Sequence, residues 1–347
     1  MKSSNMKNYN FKHENINIHC VMDCPDQIYV NNRRNITSSV KFSILVLLEI
    51  LKYDLDLIDS NQFPFWHNFP LLILTKFKKT KLIITWIEIW DRNYWEKYLG
   101  KFGGLIGLFV QKIFILLSKN NITISELTKE MLIKNKVRNG LIKVIPGGVD
   151  FELLNKIRMN SKKKNQIISI GRLIPEKKIS MIINKIGPFL IKNPEYEYLI
   201  IGKGPEYRKL KNLISYLNLN ERIFLNEGNY PYNDIMKMLA ESKIHISMSS
   251  REGLGLVILE SLALGVITIT NDYENNAGRY LINNEKNGFV AKNDGSNLCE
   301  ILDQAKIIFD EKKENYYISN GIETAKNFSY ESITTELLNF FFNNFNF

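Results

Sequence analysis

From about Tyr53 onward, short apolar runs rich in isoleucine and valine alternate with longer amphipathic stretches. The runs are Leu55–Ile58, Lys81–Thr85, Ile122–Ser125, Ile142–Ile145, Ile167–Ile170, Tyr198–Ile201, Ile223–Leu225, Ile244–Met248 and Val266–Thr270. Strand-length runs separated by helix-length segments predict βαβ units on parallel sheets. The series pauses between Val149 and Gln166, where polar and basic residues replace the apolar pattern, and this splits the strands into about four and about five. The predicted fold class is α/β, with two Rossmann-like domains facing a cleft. The first domain covers 1–150, a linker 151–166 and the second domain 167–330. The aromatic tail 331–347 either packs back on the first domain or caps the second. A chain of 347 residues is long enough for two such cores.

The most informative stretch is Ser249-Ser250-Arg251-Glu252-Gly253-Leu254-Gly255-Leu256-Val257-Ile258-Leu259-Glu260, between an apolar strand run and an apolar helix-like run. Gly253 to Leu256 then present backbone N–H groups at a helix N-terminus, a cradle for a diphosphate. Glu252 and Glu260 have seven residues between them. One carboxylate sits on the loop and the other projects from the helix two turns later. Carboxylates do not hold phosphate, so both face hydroxyls, those of a ribose and of a donor sugar. The second element, Gly171-Arg172-Leu173-Ile174-Pro175-Glu176-Lys177-Lys178, follows the run Ile167–Ile170. It sets Arg172 and Lys177 at the carboxyl end of a parallel strand, where open α/β sheets bind ligands. Two cations there neutralise a departing diphosphate without a metal. The competing reading is a surface turn with ordinary solvated cations. The third element, Gly202-Lys203-Gly204-Pro205-Glu206, starts like a dinucleotide fingerprint, but Tyr207 follows where the third glycine belongs. It reads as a tight strand-to-helix turn that lines the cleft, and NAD is poorly supported.

Composition narrows the picture a little. A hydrophobic fraction of 45% and a charged fraction of 24% describe a globular chain. The net charge of +10 suits nucleic acid, an anionic membrane surface or a phosphate-rich substrate without choosing among them. Lys162, Lys163 and Lys164 read as a solvated linker. Cys20, Cys24 and Cys299 cannot all pair, and the Cys20/Cys24 spacing lacks partners for a zinc site. Reduced thiols and no metal are expected. The polar segment Lys2 to Asn10 carries no signal-peptide apolar region. Leu105 to Leu117 is broken by Gln111 and Lys112 and is too short to span a bilayer. The expected location is cytoplasmic, with peripheral contact at the inner membrane face left open.

Together these residues resemble the retaining glycosyltransferases of family four, whose fold is GT-B. The resemblance runs from about Asn17 to Tyr330 and is strongest between Ile167 and Val290. It implies a nucleotide diphosphate sugar bound on the C-terminal domain and a sugar transferred, with retention, to a hydroxyl of a glycan or lipid-linked acceptor. It implies no cofactor, the nucleotide sugar being substrate. By the resemblance, Arg172 and Lys177 hold the donor diphosphate, Glu252 the donor sugar hydroxyls and Glu260 the ribose. Gly171, Gly253, Leu254, Gly255 and Leu256 complete the donor site, and Glu252, Arg172 and Lys177 form the catalytic set. Ile145-Pro146-Gly147-Gly148-Val149-Asp150 looks like the family's interdomain segment and Asn287-Gly288-Phe289-Val290 like its late loop. Asn275-Asn276-Ala277 fits one branch of the family without an assigned chemistry. No general base is named, which is compatible with the departing phosphate taking the acceptor proton.

Two departures stand out. The run Thr85-Trp86-Ile87-Glu88-Ile89-Trp90 looks like the family's N-domain loop facing the donor sugar, with Ile87 where relatives usually place a histidine. Isoleucine offers no donor or acceptor, which leaves Glu88 as the polar candidate on the acceptor and sugar side. Trp86, Trp90, Tyr94 and Trp95 either stack on sugar faces or pack in the core. Family members also open with a strand, a glycine-rich loop and a helix that nothing before Asn17 supplies. His13 to His19 looks like a later strand, so the first domain is expected to be incomplete. His67 and Asp54-Leu55-Asp56 read as structural. Two rivals remain. One is a catalytically weak or inactive sugar-nucleotide-binding protein, which turnover would separate. The other is a nucleic-acid-binding protein, favoured by charge alone and by no motif.

Overall fold

The isoleucine-rich runs form parallel strands because β-branched side chains fill both faces of a sheet covered by helices. The computed structural model describes residues 11–13, 16–22, 29–30, 33–34, 36–63, 65–137 and 140–345. It divides into two α/β units, one running to Val144 and taking in the chain from Phe342, the other spanning Ile145–Phe341.

In the first unit, β1 (Leu57–Asn61), β2 (Lys81–Trp86), β3 (Asn120–Thr123) and β4 (Leu141–Val144) make one parallel sheet in that order. The helices are α1 (Ile36–Ile50), α2 (Asn68–Phe77), α3 (Arg92–Leu117) and α4 (Glu126–Lys134). Leu71, Ile84, Trp86, Phe114 and Leu132 form its buried centre. The expected strand at His13–His19 is instead a short antiparallel pair, Phe11–His13 with Ile16–Ile18. Glu14 and Asn15 lie outside the described residues, as do the polar residues 2–10 and Cys24. Cys20 and Cys299 are free.

The second unit carries β5 (Lys164–Ile170), β6 (Glu197–Ile201), β7 (Ile223–Asn226), β8 (Ser242–Ile246), β9 (Ile267–Asn271) and β10 (Gly288–Ala291). All are parallel, in the order β7-β6-β5-β8-β9-β10. The helices are α5 (Phe151–Met159), α6 (Ile179–Lys192), α7 (Tyr207–Tyr216), α8 (Tyr232–Glu241), α9 (Leu256–Ala263), α10 (Leu298–Asp310), α11 (Glu314–Lys326) and α12 (Tyr330–Asn344), the last with its end from Phe342 in the first unit. The chain leaves β5 toward β6 on one side and returns to β8 on the other. The carboxyl ends of β5 and β8 therefore flank a topological switch point, where such sheets hold ligands.

The sheet has a strand more than expected. The run taken as a late loop contains β10, which is short, follows asparagines and opens on Gly288. A Cβ at Gly288 would lie 2.3 Å from the Thr268 carbonyl oxygen. The segment expected as a linker is also structured. Asp150 caps α5, its Oδ1 accepting from the Leu153 N–H at 3.0 Å, and β5 begins at Lys164. Lys163 is not a solvated linker residue. Its Nζ donates to the carbonyls of Ser242 at 2.9 Å and Leu264 at 3.4 Å. Burial, with a smaller push from Arg158, lowers its pKa to about 7.

Candidate active site

Two strand-end loops meet at the switch point. The loop after β5 runs against the loop after β6, with Gly171 N–H donating to the Ile201 carbonyl at 3.0 Å and Leu173 N–H to that of Lys203 at 2.7 Å. This approach is why Gly202 and Gly204 are glycines. A Cβ would stand 1.8 Å from the Gly171 oxygen in the first case and 2.3 Å from the Leu173 oxygen in the second. Gly171, Arg172, Lys177 and Ser249 then line one small pocket. Lys177 lies in a 3-10 turn (Pro175–Lys177) whose Glu176 carbonyl accepts from Ser250 N–H at 2.8 Å. The turn after β5 is thus tied to the loop after β8. Lys177 Nζ donates to Glu252 Oε2, and Ser249 Oγ donates to the same oxygen at 3.2 Å. The structure brings Lys177, Glu252, Gly171 and Arg172 to one place. Arg172 is exposed there.

The backbone under Glu252 is held from the far side. Its N–H donates to the Asn275 carbonyl and its carbonyl accepts from Ala277 N–H, both at 2.9 Å. Asn276, buried between them, donates to Asn271 Oδ1 at 2.7 Å and to Thr270 Oγ1 at 3.2 Å. Its own Oδ1 accepts from Gly278 N–H at 3.0 Å. The segment without an assigned chemistry is therefore a clamp on the Glu252 loop. Beyond Glu252 the chain buries Gly253, Leu254 and Gly255, turns through Gly255 at φ +94°, and enters α9 with Leu256 exposed. At that turn a side chain would be strained. The first N–H groups of α9 have no intrahelical acceptor and carry the positive end of the helix dipole. Gly147 sits under the Leu254 and Leu256 side chains, where a Cβ would come within 3.5 Å and 3.3 Å of them.

Glu260 projects from α9 and accepts from Tyr232 Oη, at the start of α8, at 2.8 Å. Burial raises the carboxyl's pKa, with the tyrosine bond pulling the other way, and burial also raises that of the hydroxyl. Tyr232 escaped the sequence reading because an aromatic after a proline in a polar stretch carries no periodic signal. His245 escaped too. It lies fully buried on β8, its Nδ1 3.1 Å from Ser261 Oγ of α9, and Ser261 reaches Thr268 Oγ1 on β9 at 2.7 Å. Burial, with the Lys177 charge adding to it, holds the imidazole neutral by lowering its pKa to about 3. This polar spine fastens α9 to the sheet.

In the first unit, the loop after β2 is pinned by two buried amides. Gln62 donates to the Glu88 carbonyl and accepts from Ile87 N–H at 2.7 Å. Gln111 of α3 donates to the Trp90 carbonyl at 2.8 Å and accepts from its N–H at 3.1 Å. Trp86, expected on the sugar side, is fully buried and donates to Asn121 Oδ1 at 2.7 Å. It is a core residue because it ends a strand whose side chains face the helices. Trp95 is buried as well. Trp90 is half-buried among Phe63, Tyr94, Trp95 and Tyr98, and its Nε1 donates to Glu88 Oε2 at 3.0 Å. Ile87 is exposed in this loop, as is Asp91 at its end. His67 is buried and within 3.0 Å of Ser60 Oγ, a structural position.

The family model described as glycosyl transferases group 1 matches residues 150–324, and that of Glycosyltransferase Family 4 matches 17–153. Over 231 residues the chain is 29% identical to the UDP-Gal:alpha-D-GlcNAc-diphosphoundecaprenol alpha-1,3-galactosyltransferase of Escherichia coli, covering 62% of this chain and 52% of that protein. Over 180 residues it is 25% identical to the phosphatidylinositol N-acetylglucosaminyltransferase GPI3 subunit of Saccharomyces cerevisiae, covering 49% and 40%. The chain thus spans about half or less of the length of these two relatives. A Campylobacter jejuni enzyme, N-acetylgalactosamine-N,N'-diacetylbacillosaminyl-diphospho-undecaprenol 4-alpha-N-acetylgalactosaminyltransferase, is 24% identical over 281 residues, covering 79% and 73%. Among solved structures, sucrose-phosphate synthase from Thermosynechococcus elongatus has a TM-score of 0.71 at 18% identity, covering 88% of this chain and 78% of that one. Anabaena HepE in complex with UDP and glucose has a TM-score of 0.69 at 19% identity, covering 87% and 81%. At these identities the likeness shows the fold, which is that of the GT-B glycosyltransferases.

Proposed function

Since the chain belongs to the glycosyl transferases group 1 family and is thereby a sugar-transferring enzyme, we propose that it moves a sugar from a nucleoside diphosphate sugar to a hydroxyl of a glycan or lipid-linked acceptor, with retention. The observation that carries this reading is the Lys177–Glu252 pair, joined by Ser249 and set beside Arg172 at the β5 and β8 ends. In this reading Lys177, Arg172 and the α9 N-terminus receive the diphosphate, Glu252 the sugar hydroxyls and Glu260 the ribose. The bond between the sugar C1 and the phosphate oxygen breaks, and its electron pair leaves with the diphosphate. The acceptor oxygen bonds to C1 on the face the phosphate left, and its proton passes to the departing phosphate. Charge builds on the diphosphate as it leaves, so the two lysine and arginine cations act most strongly in the transition state. They supply that charge without a metal. A lipid-linked acceptor is supported by the diphosphoundecaprenol in the names of the two bacterial relatives, and it would place the enzyme at the inner face of a membrane.

The test is a thermal-shift panel of nucleoside diphosphates and their sugars, followed by release of nucleoside diphosphate in the presence of a lipid-linked acceptor. A ligand at 100 times its Kd adds about 2.7 kcal/mol, which raises the Tm by roughly 2–4 °C per kcal/mol for units of this size. No shift with any nucleotide refutes the donor site. Binding without turnover favours the alternative, a sugar-nucleotide-binding protein.

A further inference from the structure

Helix α3 is apolar on its outward face as well as its inward one, unlike an ordinary surface helix. Beyond its kink at Gly100 (φ +80°) the face toward the fold carries Gly104, Gly107, Gln111 and Phe114, all buried. The glycines are needed there, because a Cβ on Gly107 would lie 2.4 Å from the Trp95 ring and one on Gly104 2.6 Å from the Glu96 backbone. The opposite face, at three- and four-residue spacing, carries Phe102, Leu105, Ile106, Phe109, Ile113 and Leu116. Phe102 is 79% exposed and Phe109 64%. A soluble helix places polar residues on that side, and contiguous apolar surface of this kind marks an interaction site.

Lys101 and Lys112 stand exposed along one flank of the stripe. Helix α1 repeats the arrangement, with Val40, Ile44 and Leu48 exposed and Lys41 exposed beside them. No acidic residue occurs between Lys101 and Leu117, nor between Ile36 and Leu48. Both helices touch the turn Phe65–His67, whose Trp66 is exposed. By length and composition α3 would suffice to cross a membrane, more than the run Leu105 to Leu117 suggests. Its inner face belongs to the core, however. Phe114 is fully buried against Phe65, Phe69 and Trp86, so the helix can lie along an interface but not leave the unit.

We propose that the outward stripe of α3, with Lys101 and Lys112, seats the protein on the surface of an anionic phospholipid bilayer. The charged residues of α3 beyond Gly100 are Lys101 and Lys112 alone, in a chain of net charge +10. That suits lipid phosphate better than a partner protein's mixed rim. From Phe102 to Leu116 the stripe is about 21 Å long at the rise of an α-helix, and its side chains enter the headgroup boundary as those of interfacial helices do. The inference deepens the proposed function and rests on it only for the membrane as a place of work.

Flotation of the full chain with vesicles, in the absence of any sugar donor, tests it. Vesicles of phosphatidylcholine with phosphatidylglycerol should bind the protein, vesicles of phosphatidylcholine alone far less, and salt should weaken the binding. Phe102→Ser with Phe109→Ser should lower partitioning at least ~10-fold. Lys101→Glu with Lys112→Glu should lower it roughly fivefold per lysine and remove most of the salt dependence. Circular dichroism and melting curves check that both double variants fold. A Phe109→Trp variant should gain a blue-shifted emission on the anionic vesicles. No binding to the anionic vesicles, or equal binding by the phenylalanine variant, overturns the proposal. So does self-association that the phenylalanine variant abolishes without any vesicle binding, which would make the stripe a contact between copies. Sugar transfer by a protein that ignores vesicles would leave the proposed function standing and this inference refuted.

Discussion

Lys177 and Glu252 are 21% and 22% exposed and paired with each other, so they should respond in opposite directions to a nucleoside diphosphate that lacks its sugar. Lys177→Ala removes a cation from the proposed phosphate site. Glu252→Gln removes the carboxylate that would compete with phosphate for the Lys177 ammonium group. Two unit charges about 4 Å apart interact by about 4 kcal/mol at an effective dielectric of about 20 and by about 1 kcal/mol in water. A pair this accessible lies toward the lower figure, so Glu252→Gln should tighten nucleoside diphosphate binding by about 1–2 kcal/mol, roughly 5- to 30-fold. Lys177→Ala should weaken it by about 1.5–3 kcal/mol, the value of a charged hydrogen bond. With the whole nucleotide sugar the sign for Glu252→Gln should reverse, because in the proposed arrangement the sugar hydroxyls lose their charged acceptor. Isothermal titration of both variants and the double variant, with the nucleotide that gives the largest thermal shift, measures all of this. In the double variant the gain from Glu252→Gln should vanish, since its partner is gone. Equal weakening by Glu252→Gln and Lys177→Ala would refute the competition and show that the carboxylate holds the lysine in place instead.

Glu260→Ala should weaken nucleotide binding by about 1.5–3 kcal/mol in the same titration. Tyr232→Phe should weaken it less, because only Glu260 Oε1 is engaged by the hydroxyl. Asn276→Ala leaves Gly278 N–H and the Asn271 side chain without their partner, and at about 1 kcal/mol per bond it should lower the Tm by several degrees and loosen the Glu252 loop. The ammonium of Lys163 binds its proton less readily in the fold, at about 7, than in the unfolded chain, at 10.5. The unfolded state therefore holds more protons between those values, and stability rises with pH across that window. Urea melts at pH 7 and pH 9 should show a rise of at most about 1.4 kcal/mol per pH unit in the parent and a flatter response in Lys163→Met.

The strands β1 to β9 were legible because a covered parallel strand needs apolar side chains on both faces, and isoleucine supplies them at Ile83 and Ile84 or at Ile167 and Ile168. The two strand-end loops proposed to hold the donor were legible as turns for the same reason. Each follows such a strand directly, and glycine, arginine and glutamate at a strand's carboxyl end have few structural excuses. What the pattern hid were groups whose role depends on a distant partner. Lys163 lies in a run of lysines, yet alone bonds carbonyls near the ends of two helices. Tyr232 meets Glu260 across 28 residues of sequence. The strand β10 is held by one neighbour, and its first residue must be glycine for backbones to approach, so no apolar run announces it.

The first-unit loop makes the same point about chemistry. Trp86 and Trp90 look alike in sequence, two aromatics beside a glutamate, but the alternation of β2 sends Trp86 inward to Asn121 while Trp90 lies past the strand end. Gln111, which interrupts an apolar stretch, marks the buried face of α3 and not a break in it. Its amide closes on both backbone groups of Trp90, as that of Gln62 does on Ile87 and Glu88. Each amide satisfies buried loop groups that have no strand to pair with, and an unmet one costs about 1–3 kcal/mol. The loop is therefore rigid for reasons independent of any ligand. Under the proposed reaction, a loop that presents an isoleucine would meet the sugar by shape and apolar contact, with Glu88 as the carboxylate beside it. Ile87→His should then add a hydrogen-bonding group at a backbone position already set, and change turnover without changing the melting temperature. A large loss of stability in that variant would show that Ile87 packs the loop, and that the position is not available to substrate.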